Sequence, residues 1–503
     1  MAVLAALNGP LPKLGVVVIS LLAAGALLAR DVRARATAML GALVLAPVLL
    51  LADIWHSPQL HIVHRHPLYA VVGAVLVVAA LGAVAIVLHR RPWVFGLLAL
   101  AALPFRVPIQ AGGVTSNLLV PLYLVVAAGS FAFIFPTLRG DQEADERHRP
   151  GWVERLLALY IVLYGIQSVY STDFEKALQN VVFFYIPFAL LYCLLIRLDW
   201  TRDLVRKSLI LLAGLAVVFA GIGFVEYATK TIILNPKLVV ANDLHTYFTV
   251  NSVFFDPDIF GRFLALVMIV IAVLLLYDND RRDQLVSTGV LAVLWVGLLL
   301  TLSRSSLAAL LVGLATLAAL RWEVRRALYA AAVVIALGAA VVAATPTTFG
   351  LNQGANGASS GRANLVTGGL HLFADRPLWG YGSGSFQKEY RAHHPNAGPL
   401  AASHTIPVTI AAEQGLIGEV SYVALVVVAL VALLRGARGD PVRTAIAAAF
   451  LALVFHTMLY ADFLEDPVTW ALLGAGMALA RAAPQPEPAR RRARAGSPAP
   501  QPA

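Results

Sequence analysis

The chain has 503 residues, 59% of them hydrophobic and only 13% charged, with a formal net charge of +10 at pH 7. Soluble domains carry about a quarter charged residues, so this composition excludes a water-soluble globule of such length. The basic residues fall in short clusters between apolar runs instead of one stripe, a pattern that membrane topology explains and that argues against nucleic acid as a partner.

Continuous apolar runs such as Leu68 to Leu88 and Leu204 to Phe224 reach the length of a bilayer crossing. Lipid offers the backbone no hydrogen-bond partners, so each run must form an α-helix of about 20 residues, and the lack of alternation excludes a barrel. Apolar segments are predicted near 13–29, 36–52, 68–88, 92–105, 117–136, 152–170, 177–196 and 204–226, then near 259–277, 285–301, 305–320, 326–345, 406–434, 443–461 and 468–482. The segments 92–105 and 305–320 are short, so re-entrant or merged elements bring the expectation to about 12 to 15 transmembrane helices. The first segment lacks the charged leader and small-residue cleavage site of a signal peptide and reads as a helix. Cys193 lies inside an apolar segment and has no second cysteine to pair with.

Orientation follows from Lys and Arg bias across alternating loops. Arg30, Arg33 and Arg35, then Arg90 and Arg91, Arg139, Arg197, Arg202, Arg206, Arg281 and Arg282 all fall on one side. Arg321, Arg325, Arg326, Arg435, Arg438, Arg443 and Arg481 continue the same side, which is assigned to the cytoplasm. The connections Asp53 to Pro67, Tyr227 to Asp258 and Pro346 to Ser403 are then extracytoplasmic, and long loops of this kind are usually functional. The organisation reads as an N-terminal transmembrane region 1–226, a loop 227–258, helices 259–345, a large loop 346–405, C-terminal helices 406–482 and a disordered basic tail 483–503. If all fifteen segments span, the N-terminus is extracytoplasmic and the C-terminus cytoplasmic.

Within the large loop, Ser359 and Ser360 precede Arg362, Leu365, Leu370, Leu372 and Phe373 in the pattern of a capped, short amphipathic helix. Arg362 in its first turn opposes the helix dipole, so it is either simply solvated or meets an anion there. Asp375-Arg376-Pro377-Leu378-Trp379-Gly380-Tyr381-Gly382-Ser383-Gly384 then forces tight turns, Ser385 to His394 reads as another short helix, and His404 arrives at the membrane surface. Such a glycine turn is more often a plain loop than a ligand site, and a lone histidine at that level is more often solvated. Glu413, followed by Gly415 and Gly418, is an ionisable group in an apolar helix, which calls for a task or a partner. Arg304 in Ser303-Arg304-Ser305 and Arg262 stand at helix ends where the topology rule does not want arginine. Snorkelling would account for either alone, but with Arg362 and a histidine they suggest a phosphate pocket, since guanidinium matches phosphate oxygens bidentately. No Walker loop, nucleotide fingerprint or zinc-spaced cluster is present, and His61 to His66 is equally well read as interfacial, so neither cofactor nor metal is assigned.

From about Leu298 to Leu434 the sequence resembles the O-antigen ligase and O-antigen polymerase superfamily of bacterial membrane glycan transferases. Three elements carry the resemblance in order: Ser303-Arg304-Ser305; Gly361-Arg362 leading to Asp375-Arg376-Pro377-Leu378-Trp379-Gly380-Tyr381-Gly382; and His404-Thr405 followed by Glu413-Gln414-Gly415-Leu416-Ile417-Gly418. Thr405 and Asp258 stand where the family often has other residues. The resemblance implies a fold like that of polyprenyl-dependent membrane glycosyltransferases in the bacterial inner membrane. It implies transfer of a glycan from an undecaprenyl pyrophosphate carrier to an acceptor hydroxyl of a glycan, lipid, protein or wall component. On that reading His404 and Glu413 are catalytic, with Glu413 supporting the histidine. Arg304, Arg362 and Arg262 bind pyrophosphate, and Asp375, Pro377, Gly380, Gly382, Gly415 and Gly418 shape the loop. Ligase and polymerase stay open. The alternative is a transporter or flippase of an anionic, lipid-linked substrate, which predicts internal repeats, and no clear repeat is evident.

Overall fold

The computed structural model describes residues 9–55, 65–111, 114–140, 149–233, 248–277, 280–322, 362–395 and 403–482, with Asn242, Arg325, Tyr329 and Ala332. The apolar segment 326–345, the Ser359-Ser360 cap, Gly361, most of the His61 to His66 cluster and the tail 483–503 lie outside them.

The first half consists of α1 (Pro10–Leu28), α2 (Val32–Ile54), α3 (Pro67–Arg90), α4 (Pro92–Ala102), α5 (Val120–Arg139), α6 (Trp152–Ser168), α7 (Phe174–Leu195) and α8 (Arg202–Thr229). The second half holds α9 (Pro257–Tyr277), α10 (Arg281–Leu300), α11 (Arg304–Arg321), α12 (Arg362–Asp375), α13 (Phe386–His393), α14 (Ile406–Leu434), α15 (Pro441–Thr457) and α16 (Pro467–Arg481). Ten of these are long and apolar enough to cross a membrane, and α4 and α15 are shorter apolar helices. The protein is a helical polytopic membrane protein. The sequence expectation of an all-α polytopic chain holds, with one short hairpin added: β1 (Val107–Ala111) and β2 (Val114–Leu118) pair antiparallel between α4 and α5. Within α7 the π-helical turn Val181–Tyr185 interrupts the α-helix.

The starts are written in the sequence. Proline opens α1, α3, α4, α9, α15 and α16, where its missing N–H is one of the unpaired donors anyway. Asp31, Thr201, Asp280, Ser303, Asp440 and Asp466 cap α2, α8, α10, α11, α15 and α16 through their side chains.

Two apolar clusters fill the bundle. One joins α1, α2 and α5 to α7 with α14, α15 and α16, around Tyr164, Phe188, Tyr192, Phe450 and Trp470. The other joins α8, α9, α10, α11 and α15 around Phe219, Phe260, Leu264 and Leu453. Leu68, Val71, Val75 and Val78 of α3 are exposed, which is the ordinary state of a helix whose solvent is lipid. The basic turns are tied together. Arg481 grips the fully buried Glu154 carboxylate at 2.7 and 2.8 Å, and Arg438 reaches the Ala319 carbonyl at 3.3 Å.

A third, small cluster of Leu365, Leu372, Tyr381, Phe386, Tyr390 and Ala412 anchors the α12–α13 cap onto α14. In α12 the inward face is Leu365, Gly368, Gly369 and Leu372, whereas Leu370 is exposed.

Candidate functional site

The glycine segment between α12 and α13 turns on three left-handed residues, Gly380, Gly382 and Gly384, with φ of +66°, +97° and +76°. A side chain at Gly380 would place its Cβ 2.3 Å from the Glu413 carbonyl oxygen, so only glycine fits both the dihedral and the approach. The loop lies against α14, with Tyr381 N–H donating to the Ala412 carbonyl at 3.1 Å and Gly382 N–H to the Glu413 carbonyl at 2.8 Å. Gly415, at φ +64°, breaks α14, and Leu416 N–H donates to the Pro377 carbonyl at 2.8 Å.

Glu413 closes this arrangement. Its Oε2 accepts from Gly384 N–H at 2.8 Å and its Oε1 from Phe386 N–H at 3.1 Å, so the carboxylate caps the start of α13. The loop is fastened to α6 and to the turn that follows it as well. Tyr170 Oη donates to the Trp379 carbonyl at 2.7 Å, and Ser383 Oγ to the Tyr164 carbonyl at 2.9 Å. Both Glu413 hydrogen bonds go to the loop backbone.

A second, ionic constellation forms where α9, α11, α12 and the α15–α16 connection meet. Asp258, in the first turn of α9, accepts hydrogen bonds from Ser303 and from Ser305, the latter at 3.1 Å. Its other oxygen lies 3.4 Å from Arg362 Nη2. Ser305 and Ser306 also lie 3.2 and 3.3 Å from Nε2 of the buried His456. Arg362 therefore does meet an anion at the start of its helix, and that anion is a carboxylate of the chain itself. Its Nη1 donates to the Leu459 carbonyl at 2.9 Å.

His404 stands at the same place. Its φ of +58° is left-handed, unusual for a non-glycine residue and common where function fixes a side chain. Ser403 holds the turn by donating to the Thr405 carbonyl at 2.7 Å, and Thr405 Oγ1 donates to the Met458 carbonyl at 3.3 Å. The imidazole lies 5.9 Å from the Tyr460 ring, centre to centre. Among the described residues its buried Nδ1 has no hydrogen-bond partner. Burial and the Arg362 guanidinium hold His404 below the ordinary imidazole pKa, against the opposing pull of Asp258 and Asp462. Neighbouring acids feel the reverse. Burial and Asp258 push Asp256 up to about 6, and burial with Asp462 beside it pushes Glu465 upward.

The structure brings Arg362 and His404 together and sets Arg304, exposed at the first position of α11, between Ser303 and Ser305. It does not give Arg262 to this surface. Arg262 forms an ion pair with Asp466 in which both side chains are 3% exposed, and the pair braces α9 against α16. Asp375 and Pro377 are exposed at the edge of the glycine segment, and a Cβ on Gly418 would strike Gln414.

Sequence reasoning missed His456, Tyr460, Asp462, Glu465 and Asp466. Their signal was present: Asp462-Phe463-Leu464-Glu465-Asp466 sets three carboxylates between two apolar segments, the same anomaly that singled out Glu413.

Residues 289–423 match the family model described as O-antigen ligase. Over that stretch the chain is similar to the O-antigen ligases. No curated protein gives a significant match. The O-antigen ligase region contains Arg304, Arg362, the glycine segment, His404 and Glu413, whereas Asp258, Arg262 and the acidic α15–α16 connection lie outside it. The match points to glycan assembly of the ligase or polymerase type, in a chain whose ten long apolar helices make it a multi-pass membrane protein.

Proposed function

We propose that this chain acts as a member of the O-antigen ligase superfamily and transfers a glycan from an undecaprenyl pyrophosphate carrier to an acceptor hydroxyl at the extracytoplasmic membrane face. The observation that carries the reading is the convergence of Arg362 and His404, from separate elements, on one ionic surface beside Asp258. In this scheme the acceptor oxygen attacks the anomeric carbon as the bond from that carbon to the pyrophosphate oxygen breaks. The hydroxyl proton passes to His404, whose depressed pKa keeps the imidazole neutral and able to accept it. Negative charge grows on the departing pyrophosphate, and Arg304 and Arg362 stabilise it without a metal ion. Arg362 exchanges its Asp258 partner for a phosphate oxygen. The carrier bond is already activated, so the reaction needs no ATP. Glu413 acts through the glycine segment, holding the cap over the pocket.

The test is reconstitution of the purified full chain with a lipid-linked oligosaccharide and candidate acceptors, followed by product analysis. Longer lipid-linked chains identify a polymerase and transfer to a different acceptor a ligase. Movement of the substrate across the bilayer with no new bond overturns the proposal. His404→Ala should abolish transfer while membrane insertion persists, and normal transfer by that variant removes the acceptor role.

A further inference from the structure

Helices α9, α15 and α16 each run from the ionic site to the opposite end of the bundle: Asp258, His456 and Pro467 stand at the site, whereas Leu274, Pro441 and Arg481 stand at the far end. There, a cleft of about 1640 Å³ opens among the α7–α8 connection, α8, α9, α10 and the starts and ends of α15 and α16. Five arginines line it: Arg197, Arg202, Arg206, Arg443 and Arg481. Some are already engaged. Arg481 is bound to Glu154, Arg443 donates to the Arg435 carbonyl, and Arg197 lies over the Phe133 ring at 4.4 Å. Arg202 and Arg206, one turn apart on α8, are exposed and have no ion pair among the described residues. Three acids also line the cleft, Asp199, Asp283 and Asp440, and Asp440 is occupied capping α15. The starts of α8 and α15 border it, adding the positive ends of two helix dipoles.

The floor is apolar. Val205, Leu209, Leu274 and Leu479 line both this cleft and a narrow groove of about 210 Å³ that continues past Phe263 and Val270 toward the Arg262–Asp466 pair. A basic mouth above an apolar slot between membrane helices has the form of a headgroup and an acyl chain. Topology alone accounts for arginines at this end, but not for their convergence on a cavity that leads into such a slot.

We propose that the cleft binds an anionic glycerophospholipid, its phosphate between Arg202 and Arg206 and one acyl chain in the groove. The site lies at the other end of the bundle from His404 and does not depend on the proposed transfer reaction.

The experiment is native mass spectrometry of the full chain in neutral detergent, titrated separately with phosphatidylglycerol, phosphatidylcholine, inorganic phosphate and undecaprenyl phosphate. Phosphatidylglycerol should bind about 25-fold more tightly than phosphatidylcholine, since each of the two basic residues near an anionic lipid contributes about a fivefold factor. Arg202→Ala with Arg206→Ala should remove that preference and leave phosphatidylcholine binding unchanged. Ala213→Phe, which narrows the floor of the cleft without touching a charge, should weaken binding of both lipids and serves if the arginine variant does not fold. Equal affinity for the two phospholipids overturns the proposal, as does an unchanged preference in the double variant. Competition by inorganic phosphate at lipid-like affinity would make this a free-anion site, and tighter binding of undecaprenyl phosphate would make it a donor site. Either result overturns the assignment.

Discussion

The Arg362 guanidinium lies 3.4 Å from the Asp258 carboxylate, so the arginine best placed for a pyrophosphate already holds an internal anion. On the proposed function, Asp258 and the pyrophosphate of the donor compete for one cation. Asp258→Asn keeps an oxygen for Ser303 and Ser305 but removes the competing charge, and should lower the KM for the lipid-linked donor several-fold. Arg362→Ala should raise it about tenfold or more, in keeping with loss of a charged hydrogen bond. Steady-state kinetics with varied donor decides both, and unaltered KM in the two variants counts against the pocket.

His404 titrates below the ordinary imidazole value, so a rate that depends on the neutral ring should hold down to about pH 6.5 and fall only below it. Asp462 raises this pKa. Its removal should therefore move the acid limb of the pH–rate profile to lower pH. Asp462→Asn suits the purpose because Asp462 sits at φ +74°, a conformation that asparagine tolerates. An acid limb that stays in place, or moves upward, separates Asp462 from His404.

Glu413 accepts two loop amides, and a glutamine there can accept with only one of its two terminal atoms. Glu413→Gln should destabilise the cap by about 1 to 3 kcal/mol, seen as faster proteolysis between Asp375 and Phe386 and a lower Tm. Transfer should decline along with the structure. A Glu413→Gln protein of unchanged Tm and protease resistance that has lost kcat would instead make Glu413 catalytic.

Arg262 and Asp466 form a buried pair, and removing one partner leaves a charge without compensation. Arg262→Met should lower stability by about 3 to 5 kcal/mol, whereas Arg262→Met with Asp466→Leu should recover much of it. Thermal unfolding in detergent measures the recovery. If the single variant is as stable as the wild type and the donor KM rises, Arg262 belongs to the substrate after all.

The sequence by itself determined the membrane class, the helix positions and the chain order of the chemical residues. Those features are local: about 20 apolar residues form a spanning helix wherever they lie, proline and aspartate mark its start, and glycines at 380, 382 and 384 demand left-handed turns. The motif residues Arg304, Arg362 and His404 were legible because charge in an apolar context stands out. Partnership was not legible, since ion pairs form between elements far apart in the chain. Only the tertiary structure assigned Arg262 to Asp466, Arg362 to Asp258 and Glu413 to the backbone of the glycine segment. A buried charge must find a counter-charge or a hydrogen bond, and which one it finds depends on how the helices pack.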